Sequence, residues 1–252
     1  MSTLGNLHTL QQPTTSARVA RHLLDLIGRE GLKPGEIAPS EGEICRELGV
    51  SRGSVREAFR TLAALGILEI ESGKRPRLQS VNGHVLAQVF GYALSTAQLD
   101  SSHVVQTRRA LEVQGVQDAA RFATSAQKLR MAELIAQMRS AVGDKDHSQR
   151  MAADMALHGV IAEASRNPLN PLLLNALRSP FEQLMHIDLG ERRSENELLR
   201  IVDAHDAIVE RIVAGDPAGA GNAMSAHFDL SFAAQPATAE GRTRGIAATG
   251  ES

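Results

Sequence analysis

At 252 residues the chain accommodates one large domain or two modest ones. Aromatic residues make up 3%, with no Trp and one Tyr, which argues against gripping single strands by stacking on exposed rings. The one cysteine, Cys45, excludes an internal disulfide framework; no apolar run approaches the roughly 18 residues of a membrane span; and a formal charge of −2 speaks against general polyanion binding.

Residues 1–15 read as a disordered arm, polar and uncharged, without the apolar core of a signal peptide, so a cytoplasmic chain is expected. A helix is expected from about Ser16, with Val19, Leu23, Leu26 and Ile27 on one face and Gly31 at its end. Lys33-Pro34-Gly35 turns the chain. Ser40 opens a second helix, with Glu43 three residues on as a capping box, and Gly49 closes it. Ser51 caps a third helix whose apolar set is Val55, Ala58, Phe59, Leu62 and Leu65. Ile67 to Ile70 alternates weakly, Ser72-Gly73-Lys74 turns, and Pro76-Arg77-Leu78 returns as the second strand of a wing. Residues 81–84 read as a linker. Beyond them the periodicity is helical only, over roughly 85–97, 102–124, 126–142, 148–165, 170–188, 195–214 and 217–233. Asn170-Pro171 and Asp216-Pro217 each place a capping residue before a proline at a helix start. Residues 234–252 are rich in Ala, Gly and Thr and read as a disordered tail. The expected fold is mostly α: an N-terminal winged helix-turn-helix over 16–80 and a C-terminal all-α bundle over 85–233.

The charge is unevenly shared. Residues 14–80 hold 11 Lys/Arg against nine Asp/Glu, while residues 81–252 hold 16 against 20. Within this mildly basic head, Arg52, Arg56 and Arg60 recur every fourth residue. At about 100° per residue they form one row, apart from the face of Val55, Phe59 and Leu62. An arginine at the start of a recognition helix meets base edges in the major groove, where its fork matches guanine O6 and N7. Ser51 and Ser54 lie at the same positive helix end and suit phosphate. Gly73, Lys74 and Arg75 form a basic wing tip suited to the minor groove or backbone. The alternative for such a row is a solvated face of an amphipathic helix.

This stretch resembles the GntR family of bacterial transcription regulators. The resemblance rests on Lys33-Pro34-Gly35-Glu36, Pro39-Ser40-Glu41, Leu48-Gly49-Val50-Ser51-Arg52, Val55-Arg56-Glu57-Ala58 and Leu62-Ala63-Ala64-Leu65-Gly66. It implies that Arg52 and Arg56 contact a double-stranded operator. Two departures stand out. The family usually has an arginine after the Ser-Glu pair, where this chain has Gly42. Its wing usually reads Gly-Arg-Gly-Thr, where this chain has Gly73-Lys74-Arg75-Pro76.

In the body, Asp154 and His158 are four apart and share a helical face, while His205 and His227 fall on two further helices. A carboxylate and three imidazoles from three helices suit one divalent ion in a bundle core: His nitrogen favours Zn, Ni, Cu or Fe, and a carboxylate also accepts Mn. Taken singly, a helical histidine is more often an ordinary surface or core residue, which is how His8, His22, His84, His103, His147 and His186 are read. The body resembles the FCD effector domain found in one GntR subgroup. The matching stretches are Arg108-Arg109-Ala110-Leu111-Glu112, Asp154 to Asn167 and His205 to His227. The resemblance implies a divalent metal ion, with Zn, Ni or Mn first in line, on Asp154, His158, His205 and His227. It also implies a small carboxylate effector met by Arg108 and, more weakly, Asn167. Arg108 is equally readable as a core salt bridge to Glu112, and Asn167 as a helix-ending Asn. The function expected is a homodimeric repressor, not an enzyme, released when the effector binds. A mononuclear metal hydrolase and a purely structural metal are the competing readings.

Overall fold

A computed structural model gives the backbone of residues 13–188 and 193–232, and the side chains of these except 179–188. The expectations for the first 12 residues and for 233–252 lie outside the described residues. The chain divides into two compact units, Met1–Val85 and Leu86–Ser252. The described residues form ten helices and one two-stranded sheet, an N-terminal winged helix-turn-helix and an all-α body.

In the first unit, α1 (Thr15–Glu30) starts one residue before Ser16, because Thr14 accepts a hydrogen bond from the Ala17 amide and so serves as the cap. Between α2 (Glu41–Leu48) and α3 (Arg52–Ala64) the chain reverses at Gly49, whose φ of 64° lies in the left-handed region that glycine enters without steric cost. Ser40 and Glu43 close a reciprocal capping box at the start of α2. Ser51 caps α3 by accepting from the Ser54 amide. Strands β1 (Leu68–Glu69) and β2 (Arg77–Leu78) pair antiparallel, Leu68 opposite Leu78, and Ile37 bridges Arg77 on the other side. Leu23, Ile44, Val55, Phe59, Leu62 and Leu78 bring helices and wing onto one small core.

Helix α4 (His84–Ser95) starts in the last two residues of the first unit; in the second, α5 (Ser101–Phe122) is followed by α6 (Ser125–Gly143), α7 (His147–Ala164), α8 (Leu169–Asp188), α9 (Glu195–Ala214) and α10 (Pro217–Phe232). The core joins α5, α6, α7, α9 and α10 through residues such as Val116, Leu134, Leu157, Ile208 and Met224. Helix α8 begins at Leu169, and the capping role expected of Asn170 belongs to Asn167, whose side-chain oxygen accepts from the Leu169 amide. Asn170 is buried and donates to Ser165 instead. Asp216 does cap α10, accepting from the Gly219 amide. No described helix is long and apolar enough to cross a membrane.

Candidate metal centre and recognition helix

On α3 the three arginines stand in water on one side while Val55, Ala58, Phe59 and Leu62 are buried on the other. The 3.6-residue period produces this separation, since a row at i, i+4, i+8 and a row at i, i+3, i+4, i+7 occupy different faces. Arg56 lies 3.6 Å from Glu41 of α2. Ser51 and Ser54 share a 3.0 Å hydroxyl contact at the helix start. The wing charges are held by the unit itself: Lys74 pairs with Glu71 at 2.6 Å and Arg75 with Glu43 at 2.7 Å. Glu43 thus serves both the α2 cap and the wing. Gly73 turns the tip with a φ of 75°. At Gly42 a Cβ would meet nothing within 4 Å, so the missing side chain leaves open space and not a packed contact.

In the body, three helices bring together the residues that the spacing singled out. His158 of α7, His205 of α9 and His227 of α10 are buried, and each offers a ring nitrogen within 4.8 Å of the others. The His158 Nε2 to His205 Nε2 distance is 3.2 Å, and the His205 and His227 ring centroids are 4.1 Å apart. Asp154, one turn before His158, places its Oδ1 3.2 Å from His158 Nε2 and 3.3 Å from His205 Nε2.

The far side of each ring decides which nitrogen faces inward. His205 Nδ1 lies 2.8 Å from the Ile201 carbonyl, an acceptor, so Nδ1 carries a proton and Nε2 faces the cluster. His158 Nδ1 is paired with the Glu112 carboxylate, which likewise leaves Nε2 for the cluster. His227 Nδ1 is buried with no hydrogen-bond partner among the described residues. A buried imidazole nitrogen left orphaned costs about 1–3 kcal/mol unless something binds it. One carboxylate oxygen, two oriented Nε2 atoms and a ring nitrogen of His227 fit the donor set of a divalent transition metal.

The electrostatics fit the same reading. Burial pushes the Asp154 carboxyl upward, but the His205 charge and hydrogen bonds from His158 and His205 outweigh it and hold it well below the usual range. Burial pushes His158 down, but Glu112 and Asp154 overcome it and raise it to about 9. His227 is driven well below its ordinary value by burial and then by the neighbouring histidines. Glu112 is lowered: burial opposes this, and Arg108 and His158 prevail.

Arg108 makes the core salt bridge to Glu112 and also lines a cavity of the cluster. It is 1% exposed, its Nε donates to Glu112 Oε1 at 2.8 Å, and it lines a cavity of about 20 Å³ together with Asp154, His158 and His227. That volume holds about one ion or water. Asn167 is not brought to this cavity; it is exposed and occupied with capping α8. Three residues of the site escaped the sequence reading. Glu112 was read only as a partner of Arg108, not of His158. Arg150 lies one turn before Asp154, so the same i, i+4 spacing would have found it. Arg193, in the connection before α9, carries no periodic signal.

Two family models match this chain: bacterial regulatory proteins, gntR family, over residues 15–77, and FCD domain, over residues 103–230. The HTH-type transcriptional regulator LutR of Bacillus subtilis (strain 168) is 30% identical over 201 residues, which cover 78% of this chain and 90% of LutR. A putative L-lactate dehydrogenase operon regulatory protein of Escherichia coli (strain K12) is 31% identical over 226 residues, 86% of this chain and 84% of that protein. The HTH-type transcriptional repressor NanR of Cronobacter sakazakii (strain ATCC BAA-894) is 28% identical over 89% of this chain and 86% of its own. Among solved structures, Streptococcus agalactiae GntR shares the fold with a TM-score of 0.66 at 23% identity, covering 85% of this chain and 97% of that one.

Proposed function

This chain belongs to the GntR family of bacterial transcription regulators, with an FCD domain as its body, and we propose that it is a homodimeric repressor released by a small carboxylate at a metal-containing site. It is a regulator and not an enzyme, as its relatives and both matching families are. The observation that carries the finer reading is the convergence of Asp154, His158, His205 and His227 beside the buried guanidinium of Arg108. Those four residues would hold a divalent ion, which when bound supplies a Lewis-acidic position for a carboxylate oxygen.

The chain's own groups do the rest. Glu112 and the Ile201 carbonyl hold the proton on the outer nitrogens of His158 and His205, which keeps the inner ones available. Arg108, held by Glu112, lines the cavity, where a guanidinium suits the second oxygen of a carboxylate. The site groups stand on α5, α7, α9 and α10, so a ligand that favours one packing of these helices shifts the whole body. It lowers operator affinity only as far as it binds the two packings differently. In the head, Arg52, Arg56 and Arg60 read a half-site, Ser51 and Ser54 meet phosphate, and Gly73, Lys74 and Arg75 lie along the backbone. Two copies read a near-palindrome. The protein acts in the cytoplasm.

The test is an operator shift with the full chain. Arg52→Ala should abolish the shift while the thermal midpoint stays within a few degrees, and an intact shift would end the assignment of α3 as the reading helix. His205→Ala should lose the metal by elemental analysis and lose release by carboxylates with it. Metal at wild-type stoichiometry in that variant would remove the site.

A further inference from the structure

The cavity beside the histidines carries more positive charge than one carboxylate and one metal site require. Arg150 of α7 lines it, is 4% exposed, and leaves its Nε without a hydrogen-bond partner among the described residues. Arg193 lines the same cavity and is anchored by donating to the Ser231 carbonyl at 2.5 Å. Burial and then the charge of Arg150 depress the pKa of Arg193, and Glu197 offsets this only in part. Two like charges brought together in a half-dry site, one with an unused donor, repel each other unless an anion lies between them.

Arg150 and Arg193, with Leu198, also line a second cavity of about 270 Å³. Lys145 adds a further positive charge and His147 an imidazole, and Glu195 is its one acidic residue among the described residues. The small space at the histidines and the larger one beside it therefore share a wall built from these two arginines. A ligand bound through one end at the histidines would extend past that wall.

We propose that Arg150 and Arg193 form a second anion subsite, so that the effector carries two anionic groups: one carboxylate at the histidine cluster and Arg108, and a second carboxylate or a phosphate on Arg150 and Arg193. This rests on the reading of the body as a carboxylate-binding site and narrows its ligand class. The guanidinium fork matches both anion types, so the chemistry shared by them is what the site selects. Singly charged acids fill only the inner position and leave Arg150 unpaired.

The test is calorimetric titration of the metal-loaded full chain with matched pairs: succinate against succinamate, and 2-phosphoglycolate against glycolate. At least one of succinate and 2-phosphoglycolate should bind about tenfold or more tightly than its singly charged match, the size expected for one charge-assisted contact. Arg150→Met should bring the pair to within about twofold. Arg193→Ala, at a less buried position, should do the same and serves if Arg150→Met does not fold. Metal content, measured in each variant, reports that the histidine cluster is intact. Equal binding of both members of each pair, or a preference that survives both variants, would overturn the second subsite and leave the carboxylate reading standing. Absence of binding by all four acids would overturn the carboxylate reading itself, and this subsite with it.

Discussion

The head and the body handle charge in opposite ways. In the head, the pairs Arg56–Glu41, Lys74–Glu71 and Arg75–Glu43 all lie in water, each side chain more than a third exposed. Such pairs contribute about 0–1 kcal/mol each, and their arginines and lysines exchange partners at little cost. In the body, Arg108, Glu112 and His158 form a chain whose side chains are at most 5% exposed, continued by Asp154 and His205. There each charge depends on the next, because a buried ion that loses its partner is desolvated without compensation. A surface that must meet a polyanion keeps its charges available. A site that must register one ligand, ion or proton in several helices ties them together.

The largest expected effect breaks that chain. Glu112→Ala takes the carboxylate away from Arg108 Nε and His158 Nδ1, and should cost about 3–5 kcal/mol in urea unfolding of the metal-free protein. A loss below about 1 kcal/mol would mean that the buried chain behaves like the surface pairs of the head. Next in size is pH. The pKa of His158 is raised from an ordinary 6.5 to about 9 in the folded protein. Its contribution is therefore complete below about pH 6.5 and is lost as pH rises through about 9. Chelator-treated protein should lose up to about 3 kcal/mol across that window. Metal affinity should climb over the same window, as the proton that competes with metal leaves. A metal-free stability that is flat from pH 6.5 to 9 would contradict the coupling of His158 to Glu112 and Asp154.

Smaller effects belong to the head. Gly42→Arg, at a position where a side chain meets open space, should stabilise α2 by about 0.5–1 kcal/mol. It should also tighten operator binding and steepen its salt dependence by about one unit. Unchanged affinity and slope would place Gly42 away from DNA. Lys74→Ala should be the mildest change, under about 1 kcal/mol in stability, because its pair with Glu71 lies in water. Its visible effect should be a salt slope smaller by about one unit, and an unaltered slope would take the wing tip off the backbone.

Much of this molecule follows from local rules. The cap at Ser40 with Glu43, the turn at Gly49 and the cap at Ser51 are short-range hydrogen-bond and backbone preferences, and they locate the first helices within a residue or so. The body helices follow from apolar periodicity in the same way. The arginine row of α3 is a consequence of spacing four on a 3.6-residue period. Asn167 and Asn170 show the limit of such rules: both are competent caps, and only the packing of Asn170 against Ser165 leaves Asn167 to close the turn.

The sequence by itself determined the order and type of the elements, the exposed arginines and the four candidate ligands, because each is carried by neighbours within a turn or two. Tertiary structure alone decided that Glu112 of α5 orients His158 of α7, that His227 Nδ1 is left without a partner among the described residues, and that Arg150 and Arg193 wall one cavity. Those relations join residues dozens of positions apart. They arise when helices that bury their apolar faces also bring in the polar groups those faces carry, and burial turns ordinary side chains into an interdependent set.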